Sequence, residues 1–222
     1  MNQNDRTSFL KNIKTALQQS KNAKTTLPEL SEYDISRLVT QNASDLLERF
    51  AQHAADEGMI IHRFTDRKTL TAHLIKLCLN KKLHQLIVAD DLQIKALGVI
   101  EVIQNHPLLN LMNWRHRPDA WFPAAFSADA SIAAAAYALA ENGALALTTG
   151  PAQPRLLHLA PPVHICLVTA DRLHADLLDL LHPQNLSSSF TLVAGPSKTS
   201  DIEMKLVTGV HGPIEEHIFI LE

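Results

Sequence analysis

Glycine is scarce in this chain. There are 7 glycines in 222 residues, which is about 3% where soluble proteins average roughly 7%. The glycine-bearing motifs GxGxxG, GxxxxGK[ST] and GxSxG are all missing. Their absence removes the sequence grounds for a dinucleotide-binding, nucleoside-triphosphate-binding or α/β-hydrolase function. The few glycines therefore matter by their positions.

Cysteine is scarcer still, with Cys78 and Cys166 standing alone in apolar segments without a CxxC pair. They cannot supply the ligands of an iron–sulfur cluster or a structural zinc site. Apolar surroundings favour two buried, reduced thiols, and a disulfide between them is the alternative. The 12 histidines form no HExxH, HxH or i,i+4 pair. The sequence therefore predicts no metal site.

Long apolar runs and a strong charge of either sign are also missing. The chain has 20 Lys and Arg against 23 Asp and Glu, a formal charge of −3, which argues against a nucleic-acid-binding protein. No window approaches ~18 uninterrupted apolar residues, and the first residues contain no apolar core of signal-peptide length. We therefore expect a cytoplasmic protein without a membrane span.

The first quarter of the chain has helical periodicity. Apolar residues recur there at helical spacing in a polar background: Phe9, Leu10, Ile13 and Leu17. They predict an amphipathic helix over residues 7–19. A second helix is predicted over residues 34–57, after a break that contains Pro28. We interpret residues 1–57 as an N-terminal helical arm packed on a domain formed by residues 58–222.

From Gly58 onward, short apolar runs alternate with helical stretches. The predicted strands are MIIHRF, HQLIVAD, ALAL, VHICLVTA, FTLVAG and HIFILE, which begin at residues 59, 84, 144, 163, 190 and 217. The predicted helices between them cover residues 66–80, 129–141 and 173–181. Apolar strands that alternate with helices indicate an α/β fold with a mostly parallel sheet and helices on both faces. The least regular stretch, residues 105–125, is either a lid over a site or a long connection.

The strongest local signal is FTLVAGPSKTSDIEMKLVTGVHGP, residues 190–213. Ser200 and Glu203 have the spacing of a capping box and predict a helix that begins there. A helix N-terminus at the carboxyl end of a parallel strand attracts anions. The ligand-binding residues predicted at this corner are Gly195, Pro196, Ser197, Lys198, Thr199, Asp201 and Glu203. The alternative is an ordinary junction between a strand and a helix, which binds nothing.

A second turn, Thr208 to Pro213, follows that predicted helix. Gly209 suits the C-cap of a helix, but a C-cap explains neither Gly212 nor His211. A histidine between glycines on a short loop can contact a carboxylate or phosphate. The alternative is a turn histidine bonded to backbone. We predict Gly209 and Gly212 as ligand-binding residues and His211 as a catalytic residue.

A third candidate is the turn Glu141-Asn142-Gly143, which precedes the strand ALAL. Gly143 suits a left-handed helix cap, and Glu141 is either a buried acid or base or a solvated residue at a helix end. Arg155, beyond Gly150, either clamps a carboxylate through two hydrogen bonds or forms a surface ion pair. We predict Glu141 as catalytic and Gly143 and Arg155 as ligand-binding.

The segment GPSKTSDIEMKLVTGVHGP resembles the carboxyl-terminal signature of the lactate-utilisation protein C (LutC) family, also called the LUD-domain or YkgG-type family. The similarity extends back through ENGALALTTGPAQPRLLHLAPPVHICLV to the opening helix SFLKNIKTAL, so it covers nearly the whole chain. The resemblance implies an α/β fold of the sugar-phosphate isomerase and coenzyme A transferase type. In such folds, small anionic ligands bind near strand ends.

The resemblance also implies a function. It implies the cluster-free component of a system that oxidises L-lactate to pyruvate, beside two partner proteins that carry iron–sulfur clusters. We expect no cofactor in this chain, although the sequence leaves a flavin open. One alternative is an independent coenzyme A transferase, sugar-phosphate isomerase or folate cyclo-ligase-like enzyme, the transferase using a carboxylate nucleophile such as Glu141. Another is a non-catalytic scaffold that senses a metabolite.

Overall fold

A computed structural model describes residues 3–21, 43–113, 121–180, 189–200 and 206–222. Its helices are α1 (Gln3–Lys21), α2 (Ala43–Asp56), α3 (Arg67–Asn80), α4 (Leu92–Ala96), α5 (Val99–Gln104), α6 (Trp121–Ser127) and α7 (Leu156–Leu159). Its strands are β1 (Ile60–Phe64), β2 (Gln85–Val88), β3 (Asn110–Asn113), β4 (Ala130–Ala134), β5 (Tyr137–Leu139), β6 (Leu145–Thr148), β7 (Val163–Thr169), β8 (Leu173–His174), β9 (Phe190–Val193), β10 (Lys198–Ser200), β11 (Leu206–Thr208) and β12 (Glu215–Leu221).

The chain forms two compact units, Met1–Ser36 and Arg37–Glu222. The first contains α1, as the periodicity of residues 7–19 predicts. The second contains α2 together with the α/β fold, because Phe50 and Ala54 of α2 are fully buried in one apolar core with Ile218 of β12. We predicted α2 as part of an arm ending at residue 57, whereas the structure groups it with the domain. The predicted helical residues before Ala43 lie outside the described residues.

The central sheet has six parallel strands in the order β1-β12-β7-β4-β2-β3. Helices α3 and α5 pack on one face, in a core that includes Ile165, Leu167 and Phe219. Helix α2 and a second sheet pack on the opposite face, in a core that includes Cys166 and Ile218. The predicted α/β fold with a mostly parallel sheet is confirmed.

The second sheet has the order β8-β5-β6-β9 and is mostly antiparallel. It contains the predicted strands ALAL and FTLVAG, which therefore do not belong to the parallel sheet. A further antiparallel pair, β10 and β11, joins Lys198 to Thr208 and Ser200 to Leu206. Short pairings of this kind leave little trace in the apolar pattern, since neither strand is buried on both faces.

The helix predicted over residues 129–141 is wrong, because this alanine-rich segment forms β4 and β5. All five residues of β4 are buried, and its backbone pairs with β2 on one side and β7 on the other. Pairing along both edges outweighs the helix preference of alanine. The helix predicted over residues 173–181 is also wrong for its described part, where β8 and a 3₁₀ turn at Leu177–Asp179 occur.

The predicted irregular stretch 105–125 contains β3 and the start of α6. Strand β3 pairs with β2 at one side of the central sheet, which the sequence did not predict. Residues 114–120 lie outside the described residues, so the two interpretations of this stretch, lid or connection, stay predictions.

Both cysteines are free and buried, as predicted. Cys78 belongs to the core under α3 and Cys166 to the core on the opposite face. Burial raises the pKa of the Cys78 thiol to about 12 and holds the pKa of Cys166 well above its usual range. Both groups are therefore protonated thiols at neutral pH and weak nucleophiles.

Candidate functional site

The predicted anion-binding corner lies where the parallel strands of the central sheet begin, not at the carboxyl end of a parallel strand. We call the end of the sheet at which these strands begin its amino edge, and the end at which they finish its carboxyl edge. Strand β9, which leads into it, pairs antiparallel with β6 in the second sheet. Gly195 then packs on Glu57, which lies between α2 and β1. A Cβ on Gly195 would stand 2.6 Å from the Glu57 carbonyl oxygen, and Gly195 has a φ of +100°. Both facts require glycine at this position.

The helix predicted to open at Ser200 is wrong in the described residues. Ser200 ends β10 and pairs with Leu206 of β11, so its backbone takes part in a strand ladder. The argument from a helix N-terminus and its dipole therefore does not apply at this corner. The predicted ligand-binding residues Asp201 and Glu203 lie outside the described residues.

Lys198 contacts the end of α2. Its Nζ donates to the carbonyl oxygen of Glu57 at 2.5 Å and lies 3.7 Å from the Glu57 carboxylate. The carboxyl end of a helix carries partial negative charge, which a lysine stabilises. The charge of Lys198 is thus already offset by groups of this chain.

Ser197 joins the two halves of the corner. Its N–H donates to Pro213, and its carbonyl oxygen accepts from Gly209, each at 2.9 Å. Its Oγ accepts from the backbone N–H of His211 at 3.2 Å. Gly212 lies against the same side chain. We call Glu57 with residues 195–199 and 209–213 the amino-edge cluster, within which the His211 side chain is exposed.

Glu141 and Gly143 lie elsewhere, in the turn between β5 and β6. Glu141 is exposed, and its carboxylate accepts from the backbone N–H of Leu177 at 2.9 Å. Gly143 has a φ of +69°, and a Cβ there would stand 2.2 Å from the backbone nitrogen of Ala54. It serves a turn between strands and the close approach of α2, so its predicted role as a helix cap is wrong. No hydrogen bond joins Glu141 to His211 in the described residues.

The carboxyl edge of the sheet has a feature that the sequence alone did not reveal. Strands β2 and β4 are neighbours in the central sheet. The strand that follows β2 in this sheet, β3, lies on one side of the pair, and the strand that follows β4 in this sheet, β7, lies on the other side. Open α/β sheets bind ligands outside the carboxyl ends of strands at such a switch point. Only the strand order identifies this place.

The loop of residues 149–155 crosses this edge. The buried side chain of Gln153 accepts from the Ala134 N–H at 2.9 Å and donates to the Ala134 carbonyl at 2.8 Å. The Asp90 N–H donates to the Ala152 carbonyl at 2.9 Å. These bonds fasten the loop to the ends of β4 and β2, and Arg155 follows Gln153 by two residues.

Four residues with hydrogen-bond donors lie on segments that follow strands of the two sheets. Gln93 Nε2 and Thr149 Oγ1 are buried without a hydrogen-bond partner in the part of the chain that the structure describes. Arg155 is exposed. Arg172 donates one N–H to the Ala136 carbonyl at 3.2 Å. An amide, a hydroxyl and two guanidinium groups are donors that suit a carboxylate. We call Gln93, Thr149, Arg155 and Arg172 the carboxyl-edge site.

Within the described ranges, no three His, Cys, Asp or Glu side chains are arranged to hold a metal ion. The helices of these ranges are too short or too polar to cross a membrane.

A family model, the LUD domain, matches residues 47–221. The Escherichia coli K12 protein YkgG is 26% identical over 202 residues, which cover 87% of each chain. A lactate utilization protein C of Halalkalibacterium halodurans is 35% identical over 103 residues, 43% of this chain and 45% of that one. Another, of Anoxybacillus flavithermus, is 25% identical over 139 residues, 61% of this chain and 62% of that one.

Among solved structures, the crystal structure of a DUF162 family protein from Deinococcus radiodurans matches with a TM-score of 0.58 and 18% identity. The match covers 82% of this chain and all of that chain, and it shows a shared fold. The matched family model covers both sheets and both edges described above. The chain therefore belongs to the LUD-domain family.

Proposed function

We propose that this chain is the cluster-free component of a lactate-utilisation system that oxidises L-lactate to pyruvate, and that it binds a small carboxylate. Several LUD-domain relatives carry the name lactate utilization protein C, which supports the role in lactate utilisation. The family resemblance supports iron–sulfur partner proteins. The two cysteines, buried in separate cores, suit a chain that leaves cluster binding to its partners.

The observation that carries the ligand proposal is the carboxyl-edge site. It combines the switch point between β2 and β4 with buried polar atoms that lack partners among the described residues. An unpaired buried donor is costly, because it has lost its water without gaining a protein partner. A ligand that accepts hydrogen bonds from these atoms removes that cost.

Each group of the site has a role that its chemistry suits. The planar guanidinium of Arg155 can hold a carboxylate through two parallel N–H bonds. Arg172 adds positive charge, while its bond to Ala136 fixes its position. The Thr149 hydroxyl can donate to or accept from the hydroxyl of a 2-hydroxy acid, and Gln93 Nε2 donates. In this proposal the chain binds and orients lactate. As the C2–H and O–H bonds break and the C=O bond forms, iron–sulfur clusters of the partner proteins would accept the two electrons, and water would take up the two protons.

The amino-edge cluster contributes differently. Lys198 and Ser197 are the residues that sequence reasoning placed first, and their polar atoms already bond to Glu57 and to the turn of residues 209–213. His211 is exposed there, as are Glu57, Lys198 and Val210. We therefore assign this cluster to joining β9, β10 and β12 to the end of α2, and we place the ligand at the opposite edge.

The test is lactate-dependent dye reduction by purified cluster-bearing partner proteins, with and without this chain. We expect the rate to require the chain and to fall at least tenfold with Arg155→Ala. Lys198→Ala, which removes a cation from the opposite edge, is the matched control and retains the rate. Full activity without the chain contradicts the proposal, and so does turnover by this chain alone.

A further inference from the structure

Five titratable side chains meet between α3 and the strands β1 and β12. His217 Nε2 lies 3.0 Å from the Glu215 carboxylate, and His217 Nδ1 lies 3.0 Å from His62 Nε2. The ring of His73, on α3, is centred 4.8 Å from that of His62. Lys81, just after α3, donates to Glu215 at 2.6 Å. We call these five residues the histidine cluster.

The hydrogen bonds of the cluster cannot be kept when both bonded imidazoles are charged. An ionised carboxylate only accepts, so His217 donates its Nε2–H to Glu215 and presents Nδ1 as an acceptor. His62 then donates its Nε2–H to that Nδ1. When both rings are charged, His62 Nε2–H and His217 Nδ1–H are set against each other at this distance, and neither can accept. One carboxylate, already paired with Lys81, faces three imidazoles.

The surroundings of the cluster are apolar. The Phe219 ring is centred 4.7 Å from His62 and 5.7 Å from His73, and the Phe64 ring is centred 5.4 Å from His73. His217 is 1% exposed. Burial, then the charges of His217 and His73, lowers the pKa of His62 to about 4, and burial lowers the pKa of His217 despite Glu215. Charged imidazoles are therefore unfavourable while α3 is packed on the sheet.

We propose that the histidine cluster is an acid-sensitive contact beside the apolar face of α3: it adds to the packing of α3 on the sheet at neutral pH and favours local opening of α3 when the imidazoles take up protons. The charged groups that face His62 and His217 come from each element packed there: Glu215 from β12, His73 from α3, and Lys81 from the turn that follows. Of these, only Glu215 opposes the added positive charge. Opening α3 returns the rings to water, where they accept protons freely.

The size of the effect follows from the pKa of His62, which is 6.5 in water and about 4 while α3 is packed. At pH values between these two, the open state binds more protons than the packed state. The opening constant therefore rises as pH falls. It increases about 30-fold from pH 7.5 to pH 5 for His62 alone.

Amide hydrogen exchange of the full chain at pH 7.5 and pH 5.0, read by mass spectrometry as protection factors, tests this proposal. We expect protection of α3 to fall at least 30-fold at pH 5.0, while β7 stays more protected than α3. The variant His62→Gln keeps an N–H for His217 and cannot take up a proton. In this variant the fall in the protection of α3 is therefore at least ten times smaller. His106→Gln, outside the cluster, behaves as the unsubstituted chain.

Three results would overturn the proposal: unchanged protection of α3 at the two pH values, a fall in His62→Gln equal to that of the unsubstituted chain, or equal protection of α3 and β7 at pH 5.0. The last result means unfolding of the whole unit without local release. If His62→Gln does not fold, His62→Asn supplies the same comparison, because its amide also carries an N–H and takes up no proton.

Discussion

The cations at the two edges of the central sheet have different surroundings: the lysine at one edge is bonded to the chain, and the arginine at the other is exposed. At the amino edge, Lys198 bonds to the carbonyl of Glu57, and Ser197 bonds to three partners in the turn of residues 209–213. At the carboxyl edge, Arg155 is exposed and Thr149 Oγ1 is buried without a partner among the described residues. In our proposal, a ligand would have to displace internal bonds at the first edge, whereas it would bond to groups without partners among the described residues at the second. A distinctive sequence motif can therefore mark where a chain closes on itself.

The largest expected difference between the edges concerns their glycines. Gly195→Ala places a Cβ 2.6 Å from the Glu57 carbonyl in a left-handed backbone, so we expect the free energy of unfolding to fall by about 3 kcal/mol. Gly150→Ala, at the carboxyl edge, meets no atom within 4 Å, and a change below about 0.5 kcal/mol is expected. Urea unfolding of both variants measures the difference. Equal losses would mean that the amino-edge cluster does not depend on close packing.

A second difference appears on acidification. His158, on the short helix α7 that Arg155 precedes, is buried, and burial followed by the charge of His164 lowers its pKa to about 3. The unfolded chain binds the extra proton below pH ~6.5, so this stability is complete above that pH and is lost as pH falls toward 3. Between pH 7.5 and pH 5, the free energy of unfolding falls, and we expect His158→Gln to make this fall about 2 kcal/mol smaller.

The measurement for His158 is urea unfolding of the chain and of His158→Gln at both pH values. Substitution of the half-buried His106 by Gln is the control. A loss of stability that His158→Gln leaves unchanged contradicts the assignment. It would show that α7, which positions Arg155, is not held by a neutral buried imidazole.

The smallest expected effect belongs to Lys198. Its side chain is 35% exposed, so solvent screens its attraction to the end of α2, and Lys198→Ala should cost at most about 1 kcal/mol. The loss should shrink in high salt. Lys76→Ala, on the exposed side of α3, is the matched control and should cost less. Thermal unfolding at low and high salt distinguishes this from a packing effect, which salt leaves unchanged.

Strands that are apolar throughout were predictable from the sequence, as β7 and β12 show. In these strands, the run of buried residues and the fold class follow from one pattern. Strand β4 was missed because its buried residues are mostly alanine, whose helix preference masks a strand that pairs on both edges. The hairpin of β10 and β11 was missed because Ser200 and Glu203 also match a capping box, while the pairing of Ser200 with Leu206 is set by distant contacts.

The candidate site was only partly predictable. Arg155 was identified from its residue type and its place after Gly150, but nothing in the sequence ranked it above Lys198. Arg155 is preferred to Lys198 for two reasons. The order of β2 and β4, which depends on long-range strand pairing, marks the carboxyl edge, and Lys198 already contacts Glu57. Gln93 and Thr149 carry no motif, and only their burial without partners singles them out.

The central claim is that the small carboxylate binds at the carboxyl edge. Calorimetric titration of L-lactate into the unsubstituted chain, Arg155→Ala and Lys198→Ala tests it most directly, with pyruvate and phosphate as competing anions. We predict that Arg155→Ala weakens lactate binding by about 1–3 kcal/mol and that Lys198→Ala leaves it within twofold. Weaker binding by Lys198→Ala together with unchanged binding by Arg155→Ala would contradict the account and return the ligand to the amino-edge cluster.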